Sequence, residues 1–340
     1  MMKKVFATIA CLILTLGIPA LIGILLSFAA PPSPQMEVVE VITIPPGISL
    51  HEVTHLLSSK GIIRSQTLFN LLVRSLRADT QIKSGEYQLT NRMLPHEVLN
   101  KLIRGEQIKY SITIPEGLTI AQIALLYEKA GMAEKNHFIN VASDQNFIAS
   151  LGMQSETLEG YLFPDTYKFI RNIGEKNIIR SMVQRFNEIY GAEFKKRGQE
   201  LNLSQREVII LASLIEKEAA CTQERPIISA VFHNRLKLHM PLQCDPTVIF
   251  GLKNFNGNLT KEDLKLKTPY NTYLICGLPP TPIASPGIDS IKAALYPADV
   301  NYLFFVSRND GTHCFSSTLA EHKEAVNMYQ KRNQEDHPPE

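Results

Sequence analysis

Two glutamates that lie two residues apart, Glu216 and Glu218, end the apolar segment REVIILASLIEKE, residues 206–218. A carboxyl group carried into apolar surroundings is desolvated, and desolvation favours its neutral form. A carboxylic acid that is neutral near pH 7 can act as a general acid, so this segment indicates proton donation to a leaving group. The structural alternative is a glutamate paired with a buried arginine, and Arg225 and Arg235 follow closely in the sequence.

A helix must position these carboxyl groups. Ser204 and Glu207 form an S-x-x-E capping box, which predicts that the helix starts there. Apolar residues then recur at helical spacing, namely Val208, Leu211, Leu214 and Ile215. Successive helical residues turn by about 100°, so Glu216 and Glu218 point roughly 200° apart. The apolar stripe continues to Glu218, which is predicted to lie on the inner face, whereas Glu216 turns away together with Ser213.

Polar and aromatic residues follow the helix in two segments that are predicted to be irregular loops, QCDPTV from residue 243 and PYNTY from residue 269. Polar and aromatic side chains on loops beside a helix are typical of the lining of a cleft. We therefore predict that these segments bind substrate next to Glu218. The predicted binding residues are Gln243, Asp245, Thr247, Tyr270, Asn271 and Tyr273.

The segment LEGYLFPDTYKF, residues 158–169, holds Glu159 and Asp165 among aromatic residues. Its glycine and proline favour an extended or turning chain over a helix. Aromatic rings stack on sugars and carboxylates bind sugar hydroxyls, so Glu159 and Asp165 are predicted to bind substrate in a carbohydrate subsite. The alternative is a core strand with a capped turn.

The chain repeats itself before this point. ITIPPGISLHEVTHLLSSKGII begins at Ile42, and ITIPEGLTIAQIALLYEKAGM begins at Ile112. Each copy predicts a strand, a Pro-Gly or Glu-Gly turn, a cap at Ser49 or Thr119, and a short helix that ends at a glycine. The repeat therefore predicts two α+β units in tandem, an arrangement often found in binding modules.

A weaker echo of the repeat, PHEVLNKLIRG, begins at Pro95 after the strand-like GEYQLT. Residues 42–107 are accordingly predicted to form a compact α+β module in which a helix at residues 50–60 packs on a small sheet.

The first copy contains a literal HExxH at His51, Glu52 and His55. On a helix this motif places two histidines on one face, with a glutamate to activate water at zinc, so a zinc peptidase is an alternative function. In the second copy the same three positions carry alanine, glutamine and leucine. The motif therefore sits on an ordinary helix of a duplicated module, and we predict no metal site and no cofactor.

The N-terminus predicts a membrane anchor. Residues 5–30 carry no charge and exceed the roughly 20 apolar residues that span a bilayer. Lys3 and Lys4 precede them, so the positive-inside rule places the remainder of the chain outside the cytoplasm. A cleaved signal peptide is the alternative. Residues 31–41 contain PPSPQ and are predicted to be a stiff linker.

Charge and cysteine content exclude other classes. The net charge is +2, the basic residues are scattered and there is no tryptophan, so nucleic acid is not an expected partner. Four cysteines follow the anchor, without a CxxC pair that would indicate a zinc ribbon: Cys221, Cys244, Cys276 and Cys314. Free thiols are favoured over disulfides because a domain of this size needs no covalent staples.

Several segments together resemble the YceG-like endolytic murein transglycosylases. The resemblance rests on EGYLFPDTY, ASLIEKEA, VFHNRL, LQCDPTVIFGL, YNTYLICGLPP, PIASPG, IKAALYPA and YLFFV, and it covers almost the whole chain. It implies an α+β protein with a cytoplasmic start at residues 1–4, the transmembrane helix at 5–30, a LysM-like module at 42–107, a mixed α+β catalytic domain at 108–332 and a polar tail at 333–340.

The resemblance also implies a reaction and its partners. The second glutamate of the Glu-Lys-Glu segment, Glu218, would be the catalytic acid of a lyase that cuts MurNAc-GlcNAc bonds within glycan strands and leaves 1,6-anhydro ends. The implied partners are peptidoglycan strands, the inner membrane and peptidoglycan synthases, with the catalytic domain in the periplasm. A non-catalytic glycan-binding scaffold built on the repeat is a further alternative.

Overall fold

A computed structural model describes Ile18 and residues 37–331 as a mixed α+β protein. The predicted cytoplasmic start, the predicted anchor apart from Ile18, and the predicted tail at residues 333–340 lie outside the described residues. Among the helices of the described part, none has both the length and the apolar character needed to span a bilayer. The chain divides into two compact units, Met1–Tyr110 with Lys168–Asn172, and Ser111–Tyr167 with Ile173–Glu340.

Residues 37–109 of the first unit form two strands and three helices. In chain order they are β1 (Val39–Ile44), α1 (Leu50–Ser59), α2 (Gln66–Ser75), β2 (Gly85–Thr90) and α3 (Pro95–Arg104). The strands pair antiparallel, with Val39 opposite Thr90 and Ile44 opposite Gly85. Ile42 and Ile44 point into the core of this unit, while Val41 and Thr43 are exposed, as the two-residue period of a half-buried strand requires. β1 begins three residues before the predicted module, within the predicted linker at 31–41.

The structure confirms the repeat as two strand-turn-helix units. Ser49 caps α1 and Thr119 caps the helix of the second copy, each in a capping box. The turn glycines, Gly47 and Gly117, have φ of 77° and 76°. Both copies therefore use the same local chemistry, in which glycine allows the left-handed turn and a hydroxyl satisfies the first free N–H groups of the helix.

The second unit is largely helical. Its elements are β3 (Tyr110–Thr113), α4 (Ile120–Lys129), α5 (Lys135–Ala142), α6 (Gln145–Ser150), β4 (Thr166–Phe169), α7 (Glu175–Ile189), α8 (Ala192–Glu200), α9 (Gln205–Glu218), α10 (Arg225–Lys237), α11 (Asp245–Gly251), α12 (Ile288–Leu295), β5 (Phe304–Ser307), β6 (His313–Ser316) and α13 (Leu319–Val326). β3 pairs with β4 and β5 with β6. The division between the units falls within β3 and β4, three residues after the predicted boundary at 107/108.

Helix α9 lies at the centre of the second unit. The predicted capping box is present, since Ser204 N donates to Glu207 Oε2 at 2.8 Å and Glu207 N donates to Ser204 Oγ at 3.3 Å. Every residue from 208 to 215 is buried. The helix is enclosed because α10, α11 and α12 all pack against it. The helix that carries both glutamates is thereby held by its neighbours.

Gly160 should not tolerate a side chain. It has φ +84, and a Cβ built there would overlap the Pro282 side chain and approach Ile209 at 3.1 Å. Gly152 has a similar φ of +72 but open space around it. Left-handed backbone costs an L-residue about 1–2 kcal/mol, and overpacking adds about 1–3 kcal/mol. Gly160→Ala should therefore lower the free energy of unfolding clearly more than Gly152→Ala in denaturant titrations. Equal losses would contradict the packing argument.

Candidate active site

Glu218 is the last residue of α9, and its carboxyl meets the Cys244 thiol in a hydrogen bond. Burial raises the pKa of Glu218 to about 7, although this hydrogen bond acts in the opposite direction. The negative charge of Asp245 raises the pKa further, while the charges of His313 and Arg235 lower it. A carboxyl group with this pKa is present in both protonation states near neutral pH, as an acid-base catalyst must be.

Glu216 lies in a different environment. Its Oε1 is 3.2 Å from Arg225 Nη2, and its Oε2 accepts a hydrogen bond from Gly287 N at 3.0 Å. Only 7% of the Glu216 side chain is exposed, against 13% for Arg225. The structural alternative from the sequence, a glutamate paired with a buried arginine, therefore describes Glu216.

The prediction that Glu216 turns away from the interior was wrong. The opposite face of α9 is also covered, because the loop before α12 lies on it: Ile283 N donates to Ser213 Oγ at 3.1 Å and Gly287 N binds Glu216. Apolar periodicity separates an inner from an outer face only when one face meets solvent. On an enclosed helix the two glutamates are distinguished by their partners instead.

Two of the predicted binding residues, Asp245 and Tyr273, interact electrostatically with Glu218. Tyr273 Oη donates to Asp245 Oδ1 at 2.6 Å. Burial raises the pKa of Tyr273, and so do the hydrogen bond to Asp245 and the charge of Glu218. Asp245 does not lie on a loop as predicted, because it is the first residue of α11 with Pro246 next to it. Proline in the first turn is a helix-start signal that the sequence reading did not use.

Thr247 and Asn271 hold the surrounding chain in place. Thr247 Oγ1 donates to Cys244 O at 2.7 Å and lies 2.8 Å from Thr272 Oγ1, while Cys244 N donates to Thr272 Oγ1 at 2.9 Å. Asn271 Nδ2 donates to two carbonyls, of which Leu266 O is 2.8 Å away. Both side chains are fully buried. The contacts of Thr247 fix Cys244, the hydrogen-bonding partner of Glu218, while Asn271 holds the backbone of residues 264–266 and accepts a hydrogen bond from Tyr273 N at 3.0 Å.

Gln243 is exposed and joins the site through Arg235. Its Oε1 accepts from Arg235 Nη1 at 3.3 Å, and its φ of 50° lies in the left-handed region. Arg235, named from the sequence only as a structural partner, is 6% exposed and donates from Nε to Leu303 O at 2.6 Å. A guanidinium fixed in this way places a permanent positive charge near Glu218.

His313 and Glu224 were not identified from the sequence. Glu224 Oε2 is 2.7 Å from His313 Nδ1, and the charge of His313 acts on Glu218. The two residues are 89 positions apart and belong to no short motif, so no spacing signal could have revealed them.

Within the described residues, the other predicted binding residues are bonded to partners other than Glu218. Both oxygens of Glu159 are 3.2 Å from Ile120 N at the start of α4. Asp165 Oδ2 accepts from Arg185 Nε at 2.7 Å, and Tyr270 Oη lies 2.9 Å from Thr281 Oγ1. These contacts are internal to the fold, and a role in substrate binding stays a prediction for all three residues.

The aromatic residues around Glu159 belong to the core. Tyr161, Phe163, Tyr167 and Phe169 are 2–8% exposed, and the Tyr161 ring meets Phe186 edge-on with centroids 5.2 Å apart. Their faces are therefore covered by protein rather than open to a sugar, as the alternative of a core segment predicts.

The HExxH motif has another use here. Glu52 Oε2 accepts from Ser49 N at 2.9 Å and from Ser49 Oγ at 2.6 Å, which closes the capping box of α1. His51 and His55 are exposed. Across the described residues, no group of three or more His, Cys, Asp and Glu side chains is arranged to hold a metal ion. The motif is accounted for by helix capping.

The four cysteines of the described region are free thiols. Cys244 is buried, and burial raises the pKa of its thiol well above the usual value. The negative charge of Glu218 acts in the same direction. Cys244 therefore stays a neutral hydrogen-bonding partner of Glu218 and is not a nucleophile.

The fold and site define a mixed α+β protein with a desolvated carboxyl group, at the end of α9, that is suited to acid-base chemistry. The model of the YceG-like family matches residues 42–328, and the chain belongs to this family. It is 34% identical over 307 residues to the endolytic murein transglycosylase of Bacillus subtilis, covering 85% of this chain and 84% of the relative. It is 29% identical over 330 residues to that of Streptococcus pneumoniae, covering 86% of this chain and 56% of the relative.

A solved structure is also similar. The crystal structure of a YceG-like protein from Listeria monocytogenes aligns with a TM-score of 0.58 and 32% identity, covering 85% of this chain and 99% of that one. The match in structure and the match to the Bacillus subtilis relative each cover 85% of the chain.

The buried Glu159 carboxyl should make stability depend on pH. Burial raises its pKa from 4.5 to about 8, so the folded protein holds a proton there that the unfolded chain releases. This contribution is complete below pH 4.5 and is lost as pH rises through 8, at about 1.4 kcal/mol per pKa unit. Relative to Glu159→Gln, the wild-type free energy of unfolding should fall by a few kcal/mol across this interval.

The exposed Glu262→Gln is the control for this measurement, and its difference from wild type should stay flat across the same pH range. Urea titrations at several pH values between 4.5 and 8.5 would measure both differences. A difference between wild type and Glu159→Gln that does not change with pH would mean that Glu159 is not protonated in the folded protein.

Proposed function

We propose that this protein is an endolytic murein transglycosylase, which cleaves MurNAc-GlcNAc bonds within peptidoglycan strands and leaves 1,6-anhydro-MurNAc ends. The observation that carries the proposal is the desolvated carboxyl of Glu218, placed among fixed polar groups at the end of an enclosed helix. Membership of the YceG-like family and similarity to three proteins named endolytic murein transglycosylases support it.

The reaction divides into two proton transfers. Neutral Glu218 donates its proton to the glycosidic oxygen, so the bond from the anomeric carbon to that oxygen breaks. The C6 hydroxyl of the same MurNAc attacks the anomeric carbon, and its proton passes to the Glu218 carboxylate. One new C–O bond replaces one broken C–O bond, water takes no part, and Glu218 returns to its starting state.

A single carboxyl is sufficient because the nucleophile is part of the substrate. A tethered hydroxyl gains the rate advantage of intramolecular attack. Hydrolytic glycosidases instead need a second carboxyl as nucleophile or base. The nearby carboxylate, Asp245, accepts a hydrogen bond from Tyr273 and raises the pKa of Glu218. Its negative charge also suits the positive charge that develops on the sugar ring.

The proposal extends to location and partners. The uncharged segment at residues 5–30 would anchor the protein once in the inner membrane, with the catalytic unit in the periplasm. The first unit would act as a LysM-like module, which its two helices between antiparallel strands support. Release of nascent strands would place the enzyme beside peptidoglycan synthases, where it would terminate elongation.

Glu218→Gln keeps the shape of the side chain but removes the transferable proton. General acid-base catalysis contributes about 10²–10⁴-fold, and one group serves both transfers, so the loss should reach the upper end of this range. Glu216→Gln keeps an oxygen for Gly287 N and lies outside the reaction, so its loss should be much smaller. Mass spectrometry of the released anhydro-muropeptides, with both variants and wild type at the same concentration of folded protein, would compare their activities. An inactive Glu216→Gln beside an active Glu218→Gln would refute the assignment.

Removal of the anchor should change where the enzyme acts and not whether it cuts. The residues proposed for chemistry all lie in the second unit, far along the chain from residues 5–30. A protein that starts near residue 35 should therefore release anhydro ends from soluble glycan strands. The same truncation carrying Glu218→Gln is the control. A folded but inactive truncated protein would assign the anchor a catalytic role.

A further inference from the structure

The first unit contains a cavity that takes no part in the reaction derived above. The cavity has a volume of about 540 Å³ and lies where β1 ends and β2 begins, and its lining residues all belong to this unit. Apolar side chains form one part of the lining and polar side chains another: Pro45, Pro46 and Ile170, and Glu86, Gln107 and Arg171. A recess of this size with a few fixed polar groups is typical of a ligand site.

Glu86 and Arg171 form an ion pair that is held in one geometry. Arg171 Nε donates to Glu86 Oε2 at 3.1 Å, and Tyr110 Oη donates to the same oxygen at 2.5 Å. The central carbon of the guanidinium lies 4.6 Å from the centroid of the Tyr110 ring. Because a carboxylate and an aromatic face both hold the planar guanidinium, its remaining N–H groups point in defined directions.

Both members of this pair keep unused hydrogen-bonding capacity. In the part of the chain that the structure describes, Glu86 Oε1 has no protein partner. Arg171 binds Glu86 and Tyr110, which leaves donors unused because a guanidinium carries five N–H groups. The side chain of Glu86 is 18% exposed and that of Arg171 is 38% exposed, so both are partly desolvated and still open to a ligand.

The pair limits the charges that a ligand can carry. A simple anion that approached Arg171 would meet the negative charge of Glu86, and a simple cation at Glu86 would meet the positive charge of Arg171. A group that carries an ammonium and a carboxylate close together, as the free end of an amino acid does, pairs with both side chains at once. The cavity therefore favours a zwitterion over an ion of one sign.

We propose that this cavity binds the zwitterionic end of a peptide branch of peptidoglycan, with the carboxylate on Arg171 and the ammonium on Glu86 Oε1. The apolar part of the lining contacts the aliphatic portion of the same branch. The first unit thus recognises the peptides that the glycan carries, whereas Glu218 acts on the glycan itself. This inference rests on the proposed function, because it takes the ligand to be peptidoglycan.

Two substitutions test the two halves of the pair. Arg171→Gln removes the guanidinium that binds the carboxylate. Glu86→Gln keeps an oxygen for Tyr110 and Arg171 but places an NH₂ group at the position of Oε1, and this group cannot accept a hydrogen bond from an ammonium. Arg92→Gln is the matched control, because Arg92 pairs with Glu37 at 3.5 Å in the same unit but does not line this cavity.

Binding is measured with the full-length protein carrying Glu218→Gln, which suppresses cleavage. The probes are soluble murein strands with their peptides and the same strands after an amidase has removed the peptides. The parent should bind the peptide-bearing strands about tenfold more tightly, as charge-assisted hydrogen bonds at a partly exposed pair would give. Arg171→Gln and Glu86→Gln should abolish this preference and leave the Kd for the bare strands unchanged, whereas Arg92→Gln should keep the preference.

A third probe separates a zwitterion from a simple carboxylate. Acetylation of the peptide amines removes the ammonium and leaves the carboxylates in place. The parent should therefore lose its preference for acetylated peptide-bearing strands, and Glu86→Gln should have no further effect on their Kd.

Equal binding of peptide-bearing and bare strands by the parent would overturn the inference, and so would a preference that survives in both variants. A preference that survives acetylation would overturn it as well, because the ammonium would then have no role. If Arg171→Gln does not fold, Glu86→Gln decides alone. Failure of the proposed function is a separate result, in which the wild-type enzyme releases no anhydro ends from murein whatever its binding preference.

Discussion

The desolvation of one carboxyl group is the constraint on which the second unit depends. A pKa of about 7 for Glu218 requires that part of the water around its carboxyl be replaced by protein, so neighbouring elements must pack around α9. Helices α10, α11 and α12 pack against this helix. The position at the C-terminal end of a helix helps, since the partial negative charge there also disfavours a carboxylate.

The fold treats two neighbouring carboxyl groups in opposite ways. Glu216 receives two strong donors, a guanidinium and a backbone N–H, whereas Glu218 receives a thiol, a weak donor. Removing the arginine from a buried ion pair of this kind would leave the glutamate charge uncompensated. Arg225 is therefore needed to keep the end of α9 stable. Arg235 instead donates to the backbone carbonyls of Leu303 and Leu242, and its positive charge acts on Glu218 through space.

The sequence predicts those features that depend on neighbours in the chain. The capping boxes at Ser49, Thr119 and Ser204 were readable because donor and acceptor lie three residues apart. The pairing of Glu216 with Gly287 and of Glu224 with His313 depends on segments 71 and 89 positions away, which periodicity cannot locate. For the same reason, the sequence indicates that Asn271 is a polar residue near the site, but it does not reveal that its side chain binds two backbone carbonyls.

The enclosure of α9 has a consequence for how this segment can change during evolution. Within a helix, one inserted or deleted residue rotates everything beyond it by about 100°. Between the cap at Ser204 and the end at Glu218, such a change would carry Glu218 away from Cys244 and Glu216 away from Arg225 at once. Apolar residues along the helix can exchange for others of similar volume, but the number of residues between cap and carboxyl is fixed. The number of residues from Ser204 to Glu218 should therefore be invariant wherever this chemistry is retained.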